Sequence, residues 1–353
     1  MSVTMMDCIE REPEVLARIL QQYPQTLAPV AERLAQKPVR RLLILATGSS
    51  LNAAQCAVFA FSQWANIQVE IKEPYPFTHY ERVDDAVDWT IALSQSGKSH
   101  STLEAQRKAQ AAGHKVYCLT ADSNSPLARE ADAVLDINCG IEPVGFVTLG
   151  FSATVLNLLL IAMLAGEAQG TLGSDACDNT VSALHNLAQR LPEVVRRTDA
   201  FITQHQAVLA AATRYIAIGY GALTGVAKEF ETKFTETVRR PSSGFELEAY
   251  MHGPYLEANN EHLLLFIEDA PHSRLAALRD YMRPHVKAAF TLSAQGESNE
   301  NQLGLNVSID PLLAPLLLIV PVQIMAYRVA TLKGINLSVR IFDDFDQVLQ
   351  SKI

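Results

Sequence analysis

The stretch Arg41–Ala54, "RLLILATGSSLNAA", decides the fold. An apolar run of strand type breaks at Gly48-Ser49-Ser50, and helix-forming residues follow at once. A strand that passes through a glycine turn straight into a helix is the unit from which parallel α/β sheets are built. The design repeats from Thr90 in "TIALSQSGKSHSTLEAQ".

Outward from these two stretches, short apolar runs recur between helical ones: "RLLILA", "IQVEIK", "WTIALS", "KVYCLT" and "AVLDIN". Strands alternating with helices imply a parallel sheet covered on both faces. Half a chain later "RYIAIGYGALTGVA" at Arg214 matches the opening stretch in outline, and strand-like runs follow at "HLLLFI", "AAFTLS" and "LNVSID". The expected fold class is α/β, with two flavodoxin-like, doubly wound parallel-sheet halves. Ahead of them Val15, Leu16, Ile19, Leu20, Leu27, Val30 and Leu34 keep helical spacing, interrupted at Pro24. The expected organisation is a helical lead-in over 1–36, a first domain over 37–170 and a second over 171–353.

The chain has 353 residues, 48% of them hydrophobic, and a formal charge of −9, which suits about two globular domains. An acidic chain without clustered Lys and Arg is not expected to bind nucleic acid. Cys8, Cys56, Cys118, Cys139 and Cys177 are scattered, with no CxxC pair, and read as thiols in a reducing compartment. The N-terminus carries acidic residues where an export signal needs basic ones, so the cytoplasm is expected. Residues 148–166 and 311–330 are apolar enough to resemble membrane spans, yet Asn157, Pro315, Pro321, Gln323 and Arg328 interrupt them. Helices buried between layers or at a subunit interface are expected there, and no membrane partner.

In an open parallel sheet, ligands bind beyond the carboxyl ends of the strands. Both glycine turns lie there. Gly48 and Gly97 let backbone approach a ligand, the following helix starts offer amides, and Ser49, Ser50, Ser94, Gln95, Ser96 and Ser99 add neutral donors. Neither GxGxxG nor GxxxxGK[ST] is present, which disfavours dinucleotides and nucleoside triphosphates. A small phosphate ester fits two such loops in consecutive βα positions. Serine and glycine that merely cap helices would explain either loop taken alone. The corresponding position of the second half, "LFIEDAPHSRL", carries acids that would repel an anion, so one site per chain is expected.

With "ATGSSLNAA", "LSQSGKS", "GIEPVGFVTLGF" and "MHGP" in hand, the chain resembles the double sugar-isomerase (SIS) family over nearly its whole length. Familiar relatives are the isomerase domain of glucosamine-6-phosphate synthase and the deglycases of phosphorylated Amadori compounds such as fructoselysine or glucoselysine 6-phosphate. The resemblance implies phosphate binding between Thr47-Gly48-Ser49-Ser50 and Ser94–Ser99, with Lys98 where that isomerase domain has Glu. It also implies a helix bearing a general base sixteen residues before a histidine in a His-Gly-Pro turn; counting back from His252 gives Glu236, with Lys233 and Glu229 on the helix's other polar positions. In "VAKEFETKFTET" the apolar stripe Val226, Phe230 and Phe234 lies beside Glu229, Lys233 and Glu236, the register that helical spacing itself gives; a solvated, salt-bridged face has the same pattern.

By resemblance, Glu236 would remove a proton beside the carbonyl or imine carbon, tuned by Lys233, and His252 would move the proton in ring opening. A lysine in the C-terminal tail is also implied, and Lys352 is the candidate. No metal or cofactor is expected. The resemblance further implies a dimer or higher homo-oligomer in which one subunit's histidine turn completes its neighbour's site. The chain starts at the helical lead-in, so glucosamine synthesis from glutamine is not expected; the expected activity is a deglycase on a phosphorylated amino sugar or Amadori compound, with an aldose–ketose amino-sugar-phosphate isomerase or deaminase as the alternative. A non-catalytic phosphosugar sensor is the reading from another class.

Overall fold

The computed structural model describes residues 3–353. Among these, β1 (Arg41–Leu45), β2 (Gln68–Lys72), β3 (Trp89–Leu93), β4 (Val116–Thr120) and β5 (Ala133–Asp136) form one sheet, and β6 (Arg214–Gly219), β7 (Ser242–Glu246), β8 (His262–Glu268), β9 (Ala288–Ser293) and β10 (Gln302–Gly304) a second. The first sheet runs β2-β1-β3-β4-β5, and the second β10-β9-β8-β6-β7, which is the same order read from its other edge. Every pairing within them is parallel. Both sheets therefore have the flavodoxin-like order that the two glycine-turn units imply, with the switch in strand order between β1 and β3 and between β6 and β8.

Two compact units contain these sheets. One holds Glu14–His185 with Arg340–Ile353, and the other holds the described residues up to Pro13 with Asn186–Val339. The division differs from the boundaries expected at 36, 170 and 353. The polar segment beyond residue 173 is one long helix, Ser174–Ala211, and the units part within it. The final fourteen residues group with the first sheet, not the second, because their backbone hydrogen-bonds to the loop after β3.

Burial follows from topology. β3 and β4 are buried at every position, having strands on both sides and helices on both faces, whereas the edge strand β2 leaves Gln68 and Glu70 exposed. Leu43, Leu45, Ala92 and Cys118 pack on Leu103, Ala105 and Ala109 of the His100–Ala111 helix. The Leu149–Ala168 helix packs against Ser49–Ala65, and its Asn157 Nδ2 donates to the Ile137 and Ala153 carbonyls at 2.9 Å. That helix and Ala314–Leu332 are long and apolar enough to span a membrane, but 94% and 78% of their most apolar windows lie buried inside the protein.

Three local readings change. The run "LNVSID" at 305–310 is not a strand; β10 precedes it, and Asn306 at φ 54° breaks the extended course, although Leu305 N still donates to Ser293 O at 3.0 Å. The strand β7 lacks an apolar signature because it is an edge strand reading Ser-Ser-Gly-Phe-Glu. The lead-in helix continues through Pro24 to Thr26, and the next begins at Ala28, so the break falls at Leu27.

Candidate functional site

In the first unit, β1 and β3 are paired neighbours, so the turns leaving them lie side by side at the carboxyl edge of the sheet. Gly48, at φ 58°, immediately precedes the Ser49–Ala65 helix, and Gly97, at φ 63°, lies three residues before the start of His100–Ala111. Positive φ is a conformation in which glycine is far less strained than other residues. At Gly97 space matters too: a Cβ would stand 2.0 Å from Ser125 Oγ. The loop is pinned by Gly97 N to Ser94 O at 3.0 Å, Leu127 N to Gly97 O at 3.1 Å and Ala121 N to Gln95 O at 2.9 Å.

Neither N-cap residue, Gly48 or Ser99, caps its helix with a side-chain hydrogen bond. Ser99 Oγ instead accepts from Thr102 Oγ1 at 2.9 Å. Side-chain capping thus does not account for Ser99. Ser94 is 6% exposed, while Ser49, Ser50, Ser96 and Ser99 are half-buried at the edge. Gln95 lies against the start of Leu149–Ala168, where a Cβ on Gly150 would meet its Cγ at 2.8 Å. Lys98 is exposed on the loop.

Two contributions were not evident from the sequence. Glu142 accepts from Thr148 N at 3.0 Å, Thr148 Oγ1 at 2.7 Å and Gly150 N at 3.0 Å, so its carboxylate caps Leu149–Ala168. The C-terminal tail pairs Lys352 with Ser99 in an antiparallel bridge: His100 N donates to Ser351 O at 3.2 Å and Ile353 N to Lys98 O at 3.0 Å. Lys352 is thereby brought to the Ser94–Ser99 loop, its ammonium 3.1 Å from Asp346. Helical and apolar periodicity carries no trace of such a backbone-to-backbone contact.

In the second unit, Leu223–Thr237 buries Val226, Phe230 and Phe234, and the two phenyl rings stack at 3.9 Å. The polar stripe beside them is not a solvated face. Glu229 is 0% and Lys233 1% exposed, whereas the Glu236 side chain keeps 39% of its surface. The Lys233 ammonium is 3.3 Å from Glu229 and 2.7 Å from Glu236. Burial by itself would lower the lysine's pKa, but the attraction of the two carboxylates outweighs it and the net shift is upward. A fixed cation thus holds Glu236, the accessible carboxylate of the three-residue stripe.

His252 ends the short helix Leu247–Met251 and is exposed, with Nδ1 2.7 Å from the Glu248 carbonyl. A carbonyl only accepts, so Nδ1 carries the proton and Nε2 is left as the ring's working atom. Gly253, at φ 138°, turns the chain into Pro254–Glu257. Chain direction separates His252 from Glu236. The Leu223–Thr237 helix leaves the carboxyl edge after β6 and runs back to the amino edge, placing Glu236 in its last turn; β7 then returns, and His252 follows it at the carboxyl edge. Lys228 sits over Phe245 at 5.8 Å, and the eight residues from Lys228 to Glu236 add about 12 Å of helix rise in the opposite direction. Among the described residues no cluster of three or more His, Cys, Asp or Glu is arranged to hold a metal.

Hydroxyl-bearing helix starts thus lie on adjacent strands of one sheet, and residues 35–165, which contain both, match the model of the SIS domain. The chain thus carries a SIS domain, and with the same fold repeated in its second unit it has the architecture of a double-SIS protein. It is 26% identical over 310 residues to the glutamine–fructose-6-phosphate aminotransferase (isomerizing) of Corynebacterium glutamicum, covering 85% of this chain and 50% of that protein. The chain spans about half the length of the curated relatives it matches. A protein of Clostridium difficile 630 assigned as a phosphosugar isomerase superposes with a TM-score of 0.91 at 22% identity, covering 99% of this chain and 98% of the other. The C-terminal domain of glucosamine-fructose-6-phosphate aminotransferase from Francisella tularensis gives a TM-score of 0.82 at 19% identity, covering 94% and 96%.

Proposed function

We propose that the protein is a cytoplasmic enzyme that processes a phosphorylated amino sugar or Amadori compound, acting as a 6-phosphate deglycase. The observation that supports this most is the set of hydroxyl-bearing helix starts side by side at the β1–β3 switch; separately, the other unit carries an accessible carboxylate held by a buried ammonium. The phosphate sits at Gly48, Ser49, Ser50, Ser94, Gln95, Ser96, Gly97 and Ser99. The names of the relative and the two fold neighbours described above refer to sugar phosphates, which supports the substrate class. All five cysteines are buried thiols, which supports the reducing compartment.

His252 Nε2 takes the proton of the anomeric hydroxyl and delivers it to the departing ring oxygen, so that the ring opens to the ketone. Glu236 then removes a proton from the amine-bearing carbon beside that carbonyl, giving an enaminol. Reprotonation at the neighbouring carbon gives an imine, which water hydrolyses to free amine and aldose 6-phosphate. Lys233 fixes Glu236, and Lys352 closes over the phosphate loop. Glu236 and His252 lie towards opposite edges of their sheet, so the reading includes a homodimer or higher homo-oligomer in which the histidine of one copy serves the carboxylate of another.

Aldose–ketose isomerisation or deamination of an amino-sugar phosphate shares the first two steps and is the second reading. A panel of 6-phosphorylated Amadori compounds and amino-sugar phosphates, with amine and sugar release followed by mass spectrometry, separates them. The deglycase reading requires amine and aldose 6-phosphate in equal amounts; a ketose–aldose exchange that retains nitrogen would replace it with the isomerase. Glu236→Gln is expected to lose about 10²–10⁴-fold in turnover while binding phosphosugar as the parent does. A parent protein that binds but turns over none of the panel would be a sensor.

A further inference from the structure

A second polar cavity lies in the other unit, far in sequence from the phosphate loops. Its volume is about 230 Å³, and Arg279, Arg283, Thr291, Asn299, Asn301 and Gln302 line it. In a chain with 38 acidic residues against 29 basic ones, a cavity lined by two guanidinium groups, three carboxamides and no carboxylate is selective for negative charge. We propose that it is a binding site for a small oxyanion, outside the catalytic machinery.

The cavity is pre-organised. Thr291 is 1% exposed and accepts from Arg279 Nη1 at 3.1 Å, while Arg279 Nε donates to Asp280 at 3.0 Å. Two contacts fix the plane of that guanidinium and leave Nη2, a geometry suited to an oxyanion edge. Arg283 is 3.6 Å from the same Asp280, so one aspartate is shared between two arginines. From the opposite side the Asn299–Gln302 hairpin brings the amides, with Gln302 Nε2 bound to Glu297 O at 2.9 Å. Buried Glu268 also lies near Arg279: burial raises its pKa, and the guanidinium pulls it back down in part. The volume suits phosphate, sulfate or a small carboxylate better than a sugar conjugate.

Calorimetric titration with inorganic phosphate at low ionic strength tests the site, in the full-length parent, in Ser49→Ala/Ser96→Ala and in Arg283→Gln. Arg283 is half exposed and makes only the long contact to Asp280, so its replacement leaves the fold intact, which circular dichroism verifies. The loop variant should retain one phosphate site, and Arg283→Gln should weaken that site at least tenfold while sparing the other. A parallel arm with a bulky phosphosugar should show heat at the loops alone. Phosphate binding that disappears entirely in the loop variant, or that is unchanged by Arg283→Gln, overturns the proposal.

Discussion

At the residue scale the Glu229–Lys233–Glu236 stripe holds the account together. The carboxylate at 229 and the ammonium at 233 are both buried, so neither can lose its partner without leaving a charge in low dielectric. Lys233→Met should therefore destabilise the protein by about 3–5 kcal/mol in urea unfolding, and adding Glu229→Gln should recover much of that loss. Little destabilisation in the single variant would mean that the lysine does not balance Glu229. The spacing of this stripe was legible in sequence because helical periodicity fixes neighbours at three and four residues. Which of its members reaches solvent was not, since the same pattern describes a solvated face.

At the scale of elements, the two glycine turns have equal φ but unequal surroundings. A Cβ at Gly48 meets nothing within 4 Å, whereas at Gly97 it would stand 2.0 Å from Ser125 Oγ and 2.9 Å from Thr120 Oγ1. Gly48→Ala should cost backbone strain alone in thermal unfolding, about 1–3 kcal/mol for a side chain held at φ 58° and ψ −137°. Gly97→Ala should cost more in thermal unfolding and weaken binding, because the loop must shift. Equal costs would contradict this packing. Nine of the ten strands carried some apolar mark, and eight were read from it; β7 and β10 escaped, one as a polar edge strand, the other as a three-residue strand displaced by the apolar-looking run after it. Long-range main-chain pairing, as between Ser99 and Lys352, leaves no local periodicity to read.

At the scale of the whole molecule, buried thiols link stability to pH. Burial pushes Cys118 and Cys139 from 9.0 up to about 12, with the Glu142 and Asp136 carboxylates adding at Cys139. The folded protein holds these protons when the unfolded chain has released them, so their contribution is whole below about pH 9 and is lost as pH rises towards 12. The unfolding free energy obtained from urea titration should fall between pH 8 and pH 10, by up to about 1.4 kcal/mol per pH unit for each thiol. Cys118→Ala should flatten the slope, and a slope unchanged by it would assign the pH effect to other groups.

We propose that Glu236 of one copy works with His252 of another, a reading supported by the run of Leu223–Thr237 and β7 towards opposite sheet edges. Glu236→Gln and His252→Gln, each inactive as a homodimer, should be co-expressed with different tags and the mixed dimer assayed for phosphosugar turnover. A random mixture should recover about one quarter of parental activity, because half the dimers are mixed and each has one site with both native groups. A mixed dimer as inactive as its two parents would contradict the account.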